Sequence, residues 1–230
     1  MLKEFQKKMY VITPKNPNKH LLRYLDQPFI KTFGFNEAEK KYIINGNRCD
    51  GLKSKLCRMY YPHYVFKRKG RKRAKLRKGS TAKIGKAVDN QIQEYIRSGK
   101  KPRNALALAL LAYWEQAQHT LQAAQVPVYI ACLDRATQAD VITEKDGQLW
   151  MWEVKTGYNQ RPAQGGLLGH RAVPNNEKNH WELQRYYTHR GLVDEGLPLF
   201  ASHVINVYQQ KDEIVVKKRK VPEWVLKFDK

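Results

Sequence analysis

The stretch QADVITEKDGQLWMWEVKTG, residues 138–157, decides the fold. Apolar and polar residues alternate on both sides of Asp146-Gly147, and that dipeptide favours a two-residue hairpin turn because both of its central positions need positive φ. With the turn there, cross-strand partners have residue numbers that sum to 293, so Asp140 faces Glu153. Directly opposed side chains in such a pair have Cβ atoms about 4.5–5.5 Å apart, and two like charges that close repel unless a cation lies between them. Alternation puts Lys155 on the face of Glu153, while Trp150, Trp152 and Val154 turn the other way into a packed layer.

This register predicts a divalent-metal site. Hard oxygen ligands suit magnesium or manganese, and such an ion activates water for attack on phosphorus and neutralises charge on the phosphate oxygens. Lys155, about 7 Å along the strand, is in reach of a bound phosphate or water. The implied chemistry is phosphodiester hydrolysis. The plainer alternative makes Asp140 and Glu153 solvent-face residues of a surface hairpin, paired with Lys155.

The composition agrees with a polyanionic substrate. Lysine and arginine number 43 against 21 aspartates and glutamates, a net charge of +22 over 230 residues. That surplus points to nucleic acid first and an acidic membrane surface second. Nine of the twelve positions from Lys67 to Lys78 are basic and none is acidic. Lys67, Arg68, Lys69, Arg71, Lys72 and Arg73 are therefore candidate phosphate contacts in a segment that cannot bury itself. No apolar run is long enough for a membrane span and the N-terminus lacks a signal core, so the expectation is an intracellular protein not bound to membrane. The three cysteines, Cys49, Cys57 and Cys132, form neither a disulfide framework nor a CxxC pair, which argues against an iron–sulfur cluster.

Upstream, Ile84, Val88, Ile92, Tyr95 and Ile96 recur at helical spacing, and a second helix is expected over 104–124. Strands are expected over 126–132, 137–143 and 148–155. A glycine-rich loop over 157–174 offers Arg161, His170 and Arg171 to phosphate. A helix over 177–190 and a hairpin of 201–209 with 213–220 close the chain. The fold class is α/β, a mixed central sheet with helices on both faces. Residues 1–79 form a basic N-terminal extension and 80–230 the core. Among the upstream acids, Asp89 borders the apolar stripe of its helix, whereas Glu94 and Glu115 lie off theirs, so Asp89 is the preferred further ligand.

Asp140 and Glu153-Val154-Lys155 on a hairpin that follows helices resemble the PD-(D/E)xK nuclease superfamily. The phrase WEVKTG with the later WELQRYY is most similar to the branch of RecB-type and lambda-type exonucleases. GKAVDNQI, from Gly85 to Ile92, is similar to that branch's opening helix, with Asp89 where a histidine is usual. Gln184 and Tyr187 stand where its glutamine–tyrosine motif falls, at QxxY spacing instead of QxxxY. The resemblance implies a restriction-endonuclease-like core in which Asp140, Glu153 and the Val154 carbonyl hold one or two magnesium ions with Asp89 assisting. It further implies that Lys155 activates or orients water, that Gln184 positions water or substrate, and that Tyr187 lines the DNA path. The expected function is a metal-dependent DNA exonuclease of recombination, repair or end processing. The alternatives are a structure- or sequence-selective endonuclease of the same fold and a non-catalytic nucleic-acid-binding module.

Overall fold

The computed structural model describes residues 6–8, 11–36, 38–53, 56, 72–156 and 177–226. In chain order its first elements are β1 (Gln6–Lys8), α1 (Lys19–Leu25), α2 (Pro28–Lys31), β2 (Gly34–Asn36), β3 (Lys41–Ile44) and β4 (Asn47–Gly51). They are followed by α3 (Lys72–Ser98), α4 (Ala105–Gln116), β5 (Thr120–Ile130), β6 (Arg135–Lys145) and β7 (Gln148–Thr156). The chain closes with α5 (Glu177–Asp194), β8 (Leu199–Gln210), β9 (Glu213–Lys218) and α6 (Glu223–Leu226).

Asp146 and Gly147 have φ of 53° and 75°, the two left-handed residues that the tight turn requires. The β6–β7 ladder then runs from Lys145↔Gln148 to Val141↔Trp152, in the register expected from the turn. Around this hairpin grows a mixed nine-stranded sheet, ordered β1-β2-β3-β4-β6-β7-β8-β9, with β5 paired to β6. Strand pairs β4–β6 and β7–β8 are parallel, and the others are antiparallel. The parallel β7–β8 pair follows from α5, which carries the chain back across the sheet before β8 begins.

Helices cover both faces. On one, Leu21 and Tyr24 of α1 and Leu183, Tyr187 and Leu192 of α5 pack against Val126, Val128, Ile142 and Met151. On the other, Val88, Ile92 and Ile96 of α3 and Leu110 and Trp114 of α4 pack against Val141, Trp152, Val154 and Ile205. Trp114 and Tyr113 both meet the Trp152 ring at 6.1 Å. Gly191 lets α5 lie close on β5, since a Cβ there would sit 2.8 Å from Val128 Cγ1 and 2.9 Å from the Tyr129 carbonyl oxygen. Gly191→Ala is therefore expected to destabilise the protein by about 1–3 kcal/mol, as overpacked sites do. Urea unfolding measures it, and a change below about 0.5 kcal/mol would show that the helix can shift freely.

Three features differ from the sequence expectation. The helix expected over 104–124 ends at Gln116, because Gln118 turns left-handed (φ 61°) and Leu121 pairs with Thr143 in the sheet instead of continuing the helical stripe. Lys72 and Arg73, expected in a solvated arm, lie in the first turn of α3, one helix with the segment bearing Asp89. The strands before residue 52 are not separate from the core, since β4 pairs with β6 through Asp50↔Arg135 and Gly51↔Ala136. No helix among the described residues is long and apolar enough to cross a membrane. Cys49 is buried and Cys132 exposed, both as free thiols.

Candidate active site

Asp140 sits where β5 and β6 change face. Val126 and its partner Ala139 pack in the α5-side cluster, yet Ala124 and Val141, two positions along, pack in the α3-side cluster. Regular alternation would keep both pairs on one face. The switch falls at Gln125, whose φ of 56° is left-handed, and at Asp140 opposite it. The β6–β7 ladder also stops here, after Val141↔Trp152. With the backbone pairing ended, the Asp140 carboxylate takes its place: Oδ2 accepts the Val154 N–H at 2.8 Å. The Gln125 side chain is a further hydrogen-bond partner of Asp140.

Glu153, one register step past the ladder, is fully buried, and its Oε1 accepts a hydrogen bond from the Lys155 ammonium. No donor among the described residues reaches its buried Oε2, and the Glu153 carboxyl also shares a hydrogen bond with the Asp140 carboxyl. Burial and then Asp140 push the Glu153 carboxyl up to about 8, against the pull of Lys155 and Lys53. Burial likewise holds Asp140 above the ordinary carboxylate range, despite Lys155 and its hydrogen bonds. Burial alone would lower Lys155, but Glu153, Asp140 and Asp89 overcome it and hold the ammonium above the usual lysine value. Lys155 therefore stays charged, while Glu153 beside it retains its proton near neutrality.

Asp89 reaches this group from α3. Burial and Asp140 push it up to about 7, with Lys155 opposing. Gly85, one turn earlier, allows the close approach: a Cβ there would lie 3.0 Å from Thr156 Oγ1. The competing acids point elsewhere, Glu94 to Lys100 at 3.0 Å and Glu115 into solvent. From α5, Gln184 Oε1 accepts from Lys155 Nζ at 3.4 Å. Asp140, Glu153, Lys155, Asp89 and Gln184 thus converge on one end of the hairpin, carried there by four separate elements.

No known protein family, curated protein or solved structure matches the chain.

Other expected residues are placed differently. Tyr187 is only 7% exposed, packed in the α5-side core with its ring 5.1 Å from Tyr186, which suits packing better than contact with nucleic acid. Val154 buries its side chain in the opposite cluster and meets the site through its backbone. Lys67, Arg68, Lys69, Arg71, Arg161, His170 and Arg171 lie outside the described residues. Among the described residues, no group of three or more histidine, cysteine, aspartate or glutamate side chains is placed to hold a metal ion.

Three contributors were not foreseen. Gln125 supports Asp140, and a left-handed glutamine inside a strand leaves no trace in a hydrophobic pattern. Lys53, two residues beyond β4, is exposed and acts on both Glu153 and His180. Tyr42 of β3 is pushed up to about 12, by burial and then by Asp140. The last two come from a segment whose strands are only three to five residues long, too short for periodicity to register.

Proposed function

We propose that the chain is a metal-dependent deoxyribonuclease that hydrolyses DNA phosphodiester bonds, acting as an exonuclease in recombination, repair or end processing. One observation carries this reading. Two carboxyl groups, the partly buried Asp140 and the fully buried Glu153, meet where the ladder ends, with the Lys155 ammonium on Glu153 Oε1 and no donor on Glu153 Oε2. A buried polar oxygen without a partner costs about 1–3 kcal/mol, a cost that a ligand at that oxygen offsets.

A hard divalent cation, magnesium or manganese, fits this donor chemistry. Asp140, Glu153 and the Val154 carbonyl would hold it, with Asp89 assisting. Such an ion, when bound, lowers the pKa of a coordinated water and neutralises developing phosphate charge. Lys155 donates hydrogen bonds to the attacking water or a phosphate oxygen, and its raised pKa keeps it a donor through the working range. Gln184 holds the Lys155 ammonium in place from α5. The basic run 67–78 and the net charge of +22 supply DNA affinity. The succession of helix α3, meander β5–β6–β7, helix α5 and parallel strand β8 supports a restriction-endonuclease-like core of the PD-(D/E)xK type.

The test is a time course with end-labelled linear duplex, single strand and closed circular DNA, in magnesium and in EDTA, beside Asp140→Asn. Magnesium-dependent loss of the linear substrates alone, absent in the variant, is expected. Nicking or linearising of the circles would make the protein an endonuclease, and tight salt-sensitive binding without any cleavage would leave a binding module.

A further inference from the structure

At the other end of β7, five residues and about 16 Å of strand rise before Lys155, stands a second group of side chains that the proposed reaction does not use. The Trp150 ring is met edge-on by His119 at 5.2 Å, lies against His203 at 5.7 Å with 24° between planes, and touches Phe200 at 4.8 Å. Phe200 is 58% exposed, more than any other exposed large hydrophobic side chain among the described residues. Leaving such a ring in water forgoes about 1.5–3 kcal/mol of burial. Helix α4 covers Trp152 with Tyr113 and Trp114 but ends at Gln116, and Trp150 remains partly open.

The surroundings are basic. Lys218 pairs with Ile205 at the end of β9, and the chain continues beside β8, Arg219 N–H donating to the Val204 carbonyl at 2.9 Å. Alternation then places Lys218 and Lys220 on the face of His203, and both are exposed. Burial, with Lys145 and Lys218, holds His119 down to about 4; burial, with Lys218, Arg185 and His119, does the same to His203. Both imidazoles are thus neutral aromatic rings. Among the described residues, the acid acting on them is Asp146, in the hairpin turn, opposing the lysines at His119.

We propose that this platform binds single-stranded nucleic acid, a base stacking on Phe200 and Trp150 while Lys218 and Lys220 meet the neighbouring phosphates. Aromatic faces bordered by lysines are the chemistry by which unpaired strands are held without regard to sequence. A protein partner docking on apolar surface alone would gain nothing from the paired lysines, whereas a polyanion gains from both. The inference stands on rings and lysines apart from the proposed reaction, and survives if that reaction is wrong.

Fluorescence anisotropy of a labelled twelve-residue oligothymidylate, in EDTA so that the probe stays intact, tests it. Phe200→Ala is expected to weaken binding about tenfold, which corresponds to about 1.4 kcal/mol, and Phe200→Tyr to bind as wild type does. An abasic strand of the same length should bind wild type and Phe200→Ala alike, because no base remains to stack. The substituted side chain is exposed, so the thermal midpoint should not move. Unchanged oligothymidylate binding by Phe200→Ala would overturn the proposal, as would an equal loss on the abasic strand.

Discussion

Glu153→Gln is expected to lower magnesium-dependent cleavage about a thousandfold or more, the scale of removing an essential charged group from a reaction centre, with the fold retained. Glutamine occupies the same volume but carries no charge, so the hard-cation donor set loses one anion and Lys155 loses its ion-pair partner. Lys155→Ala should cost about a hundredfold to ten-thousandfold by removing the donor to water or phosphate. Above about pH 8, where wild-type Glu153 is ionised, stability should move the opposite way in Glu153→Gln. The burial of Glu153 beside Asp140 is unfavourable to its charged form, and a neutral amide removes that repulsion. Higher stability with lost activity is the mark of a functional site that holds its groups at a cost to the fold. Initial rates with saturating DNA, together with thermal midpoints in EDTA, report both quantities. Wild-type cleavage by Lys155→Ala would sink the role assigned to that ammonium.

The second large effect is on pH. Glu153 rises from 4.5 to about 8 on folding and Asp89 from 3.8 to about 7. Between those limits the folded protein keeps protons that the unfolded chain has released, so raising the pH favours the unfolded chain. The contribution of these groups to metal-free stability is therefore complete below about pH 4 and is lost as pH climbs through 7 to 8. His119, His180 and His203, held near 4 by burial, gain stability as pH rises to about 6.5 in any variant that keeps them, so the trend is read as a difference: in EDTA the wild-type thermal midpoint should fall relative to that of Glu153→Gln between pH 5.5 and pH 8.5. Magnesium must displace the same protons, so its stabilising effect should be larger at pH 8.5 than at pH 5.5. Glu153→Gln should flatten the magnesium trend. A wild-type midpoint that stays level or rises relative to Glu153→Gln over this interval would contradict the protonated state of Glu153.

The part of this site that could be read in advance followed from one turn. Asp146-Gly147 imposes a register that the ladder keeps as far as Val141↔Trp152, the step before Asp140 and Glu153. The helical stripe through Val88 and Ile92 was equally legible, because a buried face leaves its period in the sequence, and it brought Asp89 with it. The end of α4 was not, since Leu121 continues a helical stripe as well as it enters a strand, and pairing with β6 decided the matter. Gln125 was invisible for a related reason: its backbone conformation is imposed by the face switch of two paired strands, a property of the pair and not of either sequence. Lys53 and Tyr42 reach the site only because β4 docks beside β6, a long-range contact that no local pattern encodes.

That docking also limits how the protein can be divided. Leu21, Tyr24 and Leu52 are fully or almost fully buried among core residues contributed by β5 and α5, and the Tyr24 hydroxyl donates to the Pro127 carbonyl at 2.8 Å. A shortened protein beginning at residue 80 would keep every acidic residue of the carboxylate cluster, yet Val126, Val128 and Leu183 would face water and β6 would lose its parallel neighbour. Whatever chemistry resides in the hairpin, the segment that precedes the basic run is part of the vessel that contains it.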